Sequence, residues 1–173
     1  MSIFPTKILV ATDGSEDAIL AARTAADVAG KTGSELHVVH VRMLPFYLSY
    51  SGSRHTASGH VGEDLERERK RLETKAQRVL DEQVRIIEGA GGQVAQAHLR
   101  LGRPDEEVTA LAEEVRAGLI VMGSRGLGGT RRALMGNDAD SVVRHAHCPV
   151  LIVRREEGRE LPIPRSSEHK REA

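Results

Sequence analysis

What most constrains this chain is a set of short apolar runs set apart by helix-length segments. KILVATD (7–13), ELHVVHV (35–41), LIVMG (119–123) and PVLIV (149–153) are nearly unbroken in hydrophobicity. A strand with one face in water alternates apolar and polar residues, whereas a continuous run implies burial on both faces. A fifth run, GQVAQAHLRLG (92–102), alternates and reads as the remaining strand. The spacers have helical periodicity. In the first, Ser15 is placed to cap, Glu16 and Asp17 fall in the first turn, and Ala18, Ala22, Ala25 and Val28 share a face that stops at Gly33. The segment 63–89 carries Leu65, Leu72, Ala76, Val79, Gln83 and Ile87 on one stripe, with a charged, solvated opposite face. Pro104 and the acids after it open another helix, and a last one runs from about 137 to 147. The order β-α-β-loop-α-β-α-β-α-β predicts an α/β fold: an open five-stranded parallel sheet with helices on both faces.

A length of 173 residues suits one domain, 1–154, followed by a polar tail, 155–173, that contains Pro162 and Pro164 and is expected to be disordered. The segment 43–62 is long for a connection in a compact domain and holds Phe46, Tyr47 and Tyr50, so it is a candidate lid. Lys plus Arg number 25 and Asp plus Glu 25, so no global field draws the chain to nucleic acid or to an anionic membrane. With no Trp, two Phe and two Tyr, it also lacks a stacking surface for single strands. No apolar stretch approaches the ~20 residues that cross a bilayer. The N-terminus does not read as a secretory signal, and the single cysteine, Cys148, excludes an intrachain disulfide. The expectation is a cytoplasmic protein.

Ligands of open parallel sheets bind at strand carboxyl ends, where the strand order reverses. Three such ends carry distinctive chemistry: ATDG after the first strand, His40 and Val41 before the aromatic segment, and the glycine-rich GSRGLGGTRRALMGN (123–137) after the fourth. Glycine lets backbone approach a ligand closely, and exposed amides next to a helix N-terminus form an anion site. Arg125, Arg131 and Arg132 are candidate phosphate forks. The loop matches neither the P-loop nor the dinucleotide fingerprint. Asp13 reads either as a ligand for a ribose hydroxyl or a hydrated Mg2+, or as a turn former in DGS. The residues of HAHC (145–148) are zinc-ligand types, but a helix end and a strand start do not aim them at one ion. No nucleophile–base pair or carboxylate pair stands out, so no catalytic residue is assigned.

ILVATDGSEDA, LIVMGSRGLGG and SVVRHAHCPVLIV, taken together and in this order, resemble the universal stress protein family over residues 7–153. The family's nucleotide signature, Gly-x2-Gly-x9-Gly followed by Ser or Thr, is matched in spacing by Gly123, Gly126 and Gly136. The resemblance implies an adenine nucleotide alpha hydrolase-like sheet that binds ATP or a related adenine nucleotide, with Mg2+ as a possible companion. By position, Ala11, Thr12 and Asp13 would line base and ribose, Val41 would flank the adenine, and Met122 and Gly123 would close that side. Gly126 and Gly136 would let the phosphates lie against backbone. The resemblance further implies a homodimer through Val150, Leu151, Ile152 and Val153, and a non-catalytic, nucleotide-dependent regulatory role. The alternatives are a slow adenine-nucleotide hydrolase and a structural protein with a vacant pocket.

The chain departs from the family where a hydroxyl is expected. Asn137 follows Gly136, and Asp138 precedes Ala139. As a local pattern, NDAD reads as an N-cap at Asn137 with Asp140 completing a capping box. Asp138 then predicts a weaker grip on outer phosphates, by about tenfold, unless Arg131, Arg132 or a metal offsets it.

Overall fold

The computed structural model describes residues 3–49, 59–127 and 135–155. Its elements are β1 (Lys7–Thr12), α1 (Glu16–Thr32), β2 (Glu35–Arg42), α2 (Phe46–Ser49), α3 (Gly59–Gly89), β3 (Val94–Leu101), α4 (Pro104–Val115), β4 (Leu119–Gly123), α5 (Asn137–His145) and β5 (Val150–Val153). The five strands form one parallel sheet in the order β3-β2-β1-β4-β5. The chain winds outward from β1 through β2 to β3, then crosses back to β4 and β5. Strand order therefore reverses between β1 and β4, and this reversal opens a crevice at the carboxyl end of the sheet.

Side-chain alternation along each strand divides the core in two. Ile8, Val10, Leu36, Val38, Leu119 and Val121 face α1 and α3, where they meet Ala21, Ala22, Ala25, Leu80 and Ile87. Leu9, Val39, Ile120 and Met122 face α4 and α5 and pack on Val108, Leu111, Ala112, Ala139 and Val142. Each fully buried Ile, Leu or Val contributes about 1.5–3 kcal/mol. The unbroken apolar strands are thus what the central positions of a covered sheet select. The alanines of α1 carry little side chain, so its backbone lies close against the sheet.

The predicted ends of α1 hold. The Ser15 hydroxyl accepts the Ala18 amide at 3.2 Å, and Gly33 closes the helix in the left-handed region at φ 68°. Three local expectations are corrected. The segment 43–62 is not irregular throughout: α2 lies within it, anchored by the buried Leu48, and α3 starts at Gly59 rather than at residue 63. The apolar stripe begins only at Leu65, so periodicity has no hold on the turn before it. The lid expected here falls partly on residues 50–58, outside the described residues, as do Tyr50 and the tail from residue 156. The capping box on α5 does not form either. Gly136, extended at φ −75° and ψ 158°, is the N-cap, and no side chain caps the helix. The Gly136 amide is drawn to the Ser124 carbonyl at 2.7 Å, and the Asp140 amide bonds the Gly136 carbonyl, so the helix starts one residue earlier than the capping pattern suggested. The Asp140 carboxylate instead takes Arg144 at 2.9 Å.

Candidate functional site

The crevice is a cavity of about 560 Å³, within the ordinary range for a small-molecule site. Ala11, Thr12, Asp13, Val41, Met122, Gly123, Arg125, Gly126, Gly136 and Asn137 all line it. The tertiary structure thus gathers the residues singled out in the sequence from four separate segments. Asp138 and Ala139, noted in the sequence as departures from the family pattern, line it too, and the structure adds Ala18 of α1, Val39 of β2, Pro104 and Val108 of α4, and Ser124, Leu127 and Met135. Val39 could have been found as the same-face neighbour of Val41 two positions along the strand. Pro104 and Val108 share a helix face, but nothing in their chemistry marks them, because they supply only an apolar wall.

Several of these residues already have protein partners. The Thr12 hydroxyl donates to Gln83 Oε1 at 3.0 Å and accepts the Gly14 amide at 3.3 Å. Asp13 accepts the Ser15 amide at 2.9 Å on one oxygen and the Leu127 amide at 2.8 Å on the other. Its carboxylate is both the turn former of DGS and a brace joining that turn to the loop after β4. Of the candidate phosphate forks, Arg131 and Arg132 lie outside the described residues, while Arg125 lines the cavity with its Nε facing the buried Asp17 at 3.5 Å, and Asp17 also takes the Ser124 hydroxyl at 3.0 Å. His40, expected near the pocket mouth, is buried and outside the lining. Its Nδ1 donates to the Thr12 carbonyl at 2.8 Å, which steadies the end of β1.

The signature glycines do different work. A Cβ at Gly123 would lie 2.9 Å from backbone and side-chain atoms of Asp17, so glycine is required for α1 to pack on β4. At Gly126 it would come 2.6 Å from the Asp13 carboxylate, so its absence first makes room for that brace. At Gly136 an added Cβ would make only ordinary contacts, 3.5 Å from the Ser124 carbonyl oxygen and 3.7 Å from the Arg125 Cα, and φ there is unstrained. Among the described residues nothing requires a glycine at 136.

The electrostatics are acidic at the α5 end. Burial pushes the Asp138 carboxyl above the usual carboxylate range, and the charges of Asp105 and Asp13 push it the same way against the pull of Arg103. Asp105 is itself held low: burial would raise it, but the Ser141 hydroxyl at 2.8 Å and Arg103 at 3.0 Å outweigh that. Among the described residues no cluster of His, Cys, Asp and Glu is disposed to hold a metal. The HAHC residues diverge: His145 bonds the Ser141 carbonyl, His147 bonds the Ala117 carbonyl, and burial raises the Cys148 thiol.

An open α/β sheet with a cavity at its switch point, bordered by Gly123, Gly126 and Gly136, is the adenine nucleotide alpha hydrolase-like fold. The family model for the universal stress protein family matches residues 5–154, and the chain belongs to that family. A universal stress protein of Methanocaldococcus jannaschii is 32% identical over 150 residues, spanning 86% of this chain and 82% of the relative. Among solved structures, the universal stress protein UspA from Lactobacillus plantarum superposes with a TM-score of 0.69 at 20% identity, covering 87% of this chain and 99% of that one. The universal stress protein from Archaeoglobus fulgidus in complex with dAMP gives a TM-score of 0.56 at 25% identity, covering 88% and 99%. Among the described residues no helix is long and apolar enough to cross a membrane.

Proposed function

We propose that this chain is an adenine-nucleotide-binding stress-response protein that acts in the cytoplasm as a homodimeric regulator, without a catalytic role. The observation that carries the reading is Gly136. Neither its backbone angles nor its described neighbours require a glycine, and it borders the cavity just where α5 begins with no side-chain cap. The first-turn amides of a helix lack intrahelical partners and bear a partial positive charge, so they bind anions. A residue without a side chain at that point lets an anion reach them. The remaining walls suit a purine: Ala11, Val39, Val41, Val108 and Met122 give it apolar surface, and strand-end backbone groups give it orientation. The A. fulgidus relative holds dAMP, in keeping with this assignment.

The residues present fit a nucleotide better than they fit a separate metal. Asp13 already receives two backbone amides, so Mg2+ on this reading arrives with the phosphates and is not held by a protein cage. Because β5 is the outermost strand, its free edge offers Val150–Val153 to a second copy of the chain. Native mass spectrometry of the purified protein tests the main reading. We expect a mass increment matching an adenine nucleotide, or uptake of one on titration. The variant Gly136→Val should melt as the parent does and lose that uptake. A parent that takes up no adenine nucleotide, or a valine variant that binds as well as the parent, overturns the assignment.

A further inference from the structure

We propose that Asp138 selects the ligand by charge: the cavity takes a nucleoside carrying at most one phosphate in preference to a di- or triphosphate. This rests on the nucleotide reading above and sharpens it.

The argument begins with the failed capping box. Had Asn137 and Asp140 capped α5, the helix end would have been satisfied internally. Instead Gly136 is the cap and Asp140 is drawn off to Arg144, so among the described residues no side chain takes the first-turn amides. Asp138 is the acid of that turn that lines the cavity. Among the described residues it has neither a hydrogen-bond nor an ion-pair partner. The charged groups that act on it come from the turn after β1 and from the start of α4. Asp13 directly follows β1, and Asp105 lies in the first turn of α4; both charges act on Asp138 in the same direction as burial. Arg103 opposes them, but its guanidinium is shared between Asp105 and Glu106, each at 3.0 Å. Arg125, the one cation on the lining among the described residues, pairs with Asp17.

The balance follows. One phosphate at the helix start meets a partial positive charge and open amides, and gains from both. That partial charge is worth about half a unit and the open amides reach only the phosphate in contact with them, so a second or third phosphate meets the carboxylate of Asp138 without that compensation from the described residues. Each added phosphate brings further negative charge into a partly dehydrated space where the described cations are already paired. At the effective dielectric of a protein surface, the repulsion amounts to about tenfold in affinity.

Calorimetric titration of the full chain with adenosine, AMP, ADP and ATP, each with and without Mg2+, tests this. The parent should bind AMP at least as tightly as ATP in both conditions. Asp138→Asn keeps the shape and removes the charge; it should tighten ATP about tenfold and leave AMP within about twofold. Asp140→Asn, in the same turn but paired outward with Arg144, should change neither. Melting curves establish that both variants fold. If the parent prefers ATP to AMP tenfold or more in either condition, or if Asp138→Asn shifts AMP and ATP equally, the selection proposed here is wrong while the nucleotide reading stands. If the parent binds none of the four ligands, both fall together.

Discussion

At the scale of single residues, the three signature glycines are alike in sequence and unlike in consequence. Gly123 is fixed by packing, since any side chain would meet Asp17 and Ala18 on α1 at about 3 Å. We expect Gly123→Ala to destabilise the fold by about 1–3 kcal/mol, the usual cost of forcing atoms into a packed contact. Gly136→Ala should stay within about 0.5 kcal/mol of the parent, because its backbone is unstrained and its surroundings have room. Denaturant unfolding of the two variants side by side checks this, and equal losses would refute the distinction. The same contrast applies to charge. Arg125 and Asp138 look equally available in the sequence, yet one is neutralised by the buried Asp17 and the other is left open in the cavity.

At the scale of elements, the two edges of the sheet differ. β3 closes one side with Ala95, Gln96 and Ala97 exposed. β5 closes the other with an apolar run that presents Leu151 at 38% exposure. An unprotected apolar edge invites pairing, and natural sheets either cover such an edge or charge it. Here no charge interrupts Val150–Val153, so a second copy is the expected cover. Leu151→Lys should convert a dimer into a monomer while leaving the helical circular dichroism intact. Sedimentation that finds the parent monomeric at working concentrations, or the lysine variant still dimeric, would remove the dimer from the account. β5 also bonds back to the site through the Ser124 amide on the Val153 carbonyl at 2.8 Å, so the edge and the glycine loop share a strand end.

At the scale of the whole molecule, stability should fall in mild acid through a histidine pair outside the cavity lining. His37 on β2 and His98 on β3 lie with ring nitrogens 3.1 Å apart, one donating to the other. Burial lowers the His98 pKa below 6.5, the positive charges of His37 and Arg100 lower it further, and Glu114 opposes them. The unfolded chain therefore takes up the proton first, and stability declines as pH drops through 6.5 toward the folded value. The melting temperature of the parent should fall between about pH 7.5 and about pH 5.5 by more than that of His98→Gln, and an equal fall in both would exclude the pair as the cause. The sequence alone determined the class of fold, the order of its elements and the places where glycine interrupts them. Those properties depend on hydrophobic period and backbone freedom, which neighbouring residues set. It also pointed to the strand ends that meet at the cavity, because a parallel sheet leaves few places for a ligand. Only the tertiary structure decided which charges remain unpaired there and which helix end stays open. Those outcomes depend on partners far along the chain, as when Asp13 takes the amide of Leu127, 114 positions away, or Asp17 holds Arg125. Local pattern carries no record of such pairings, and the electrostatics of a site are made of little else.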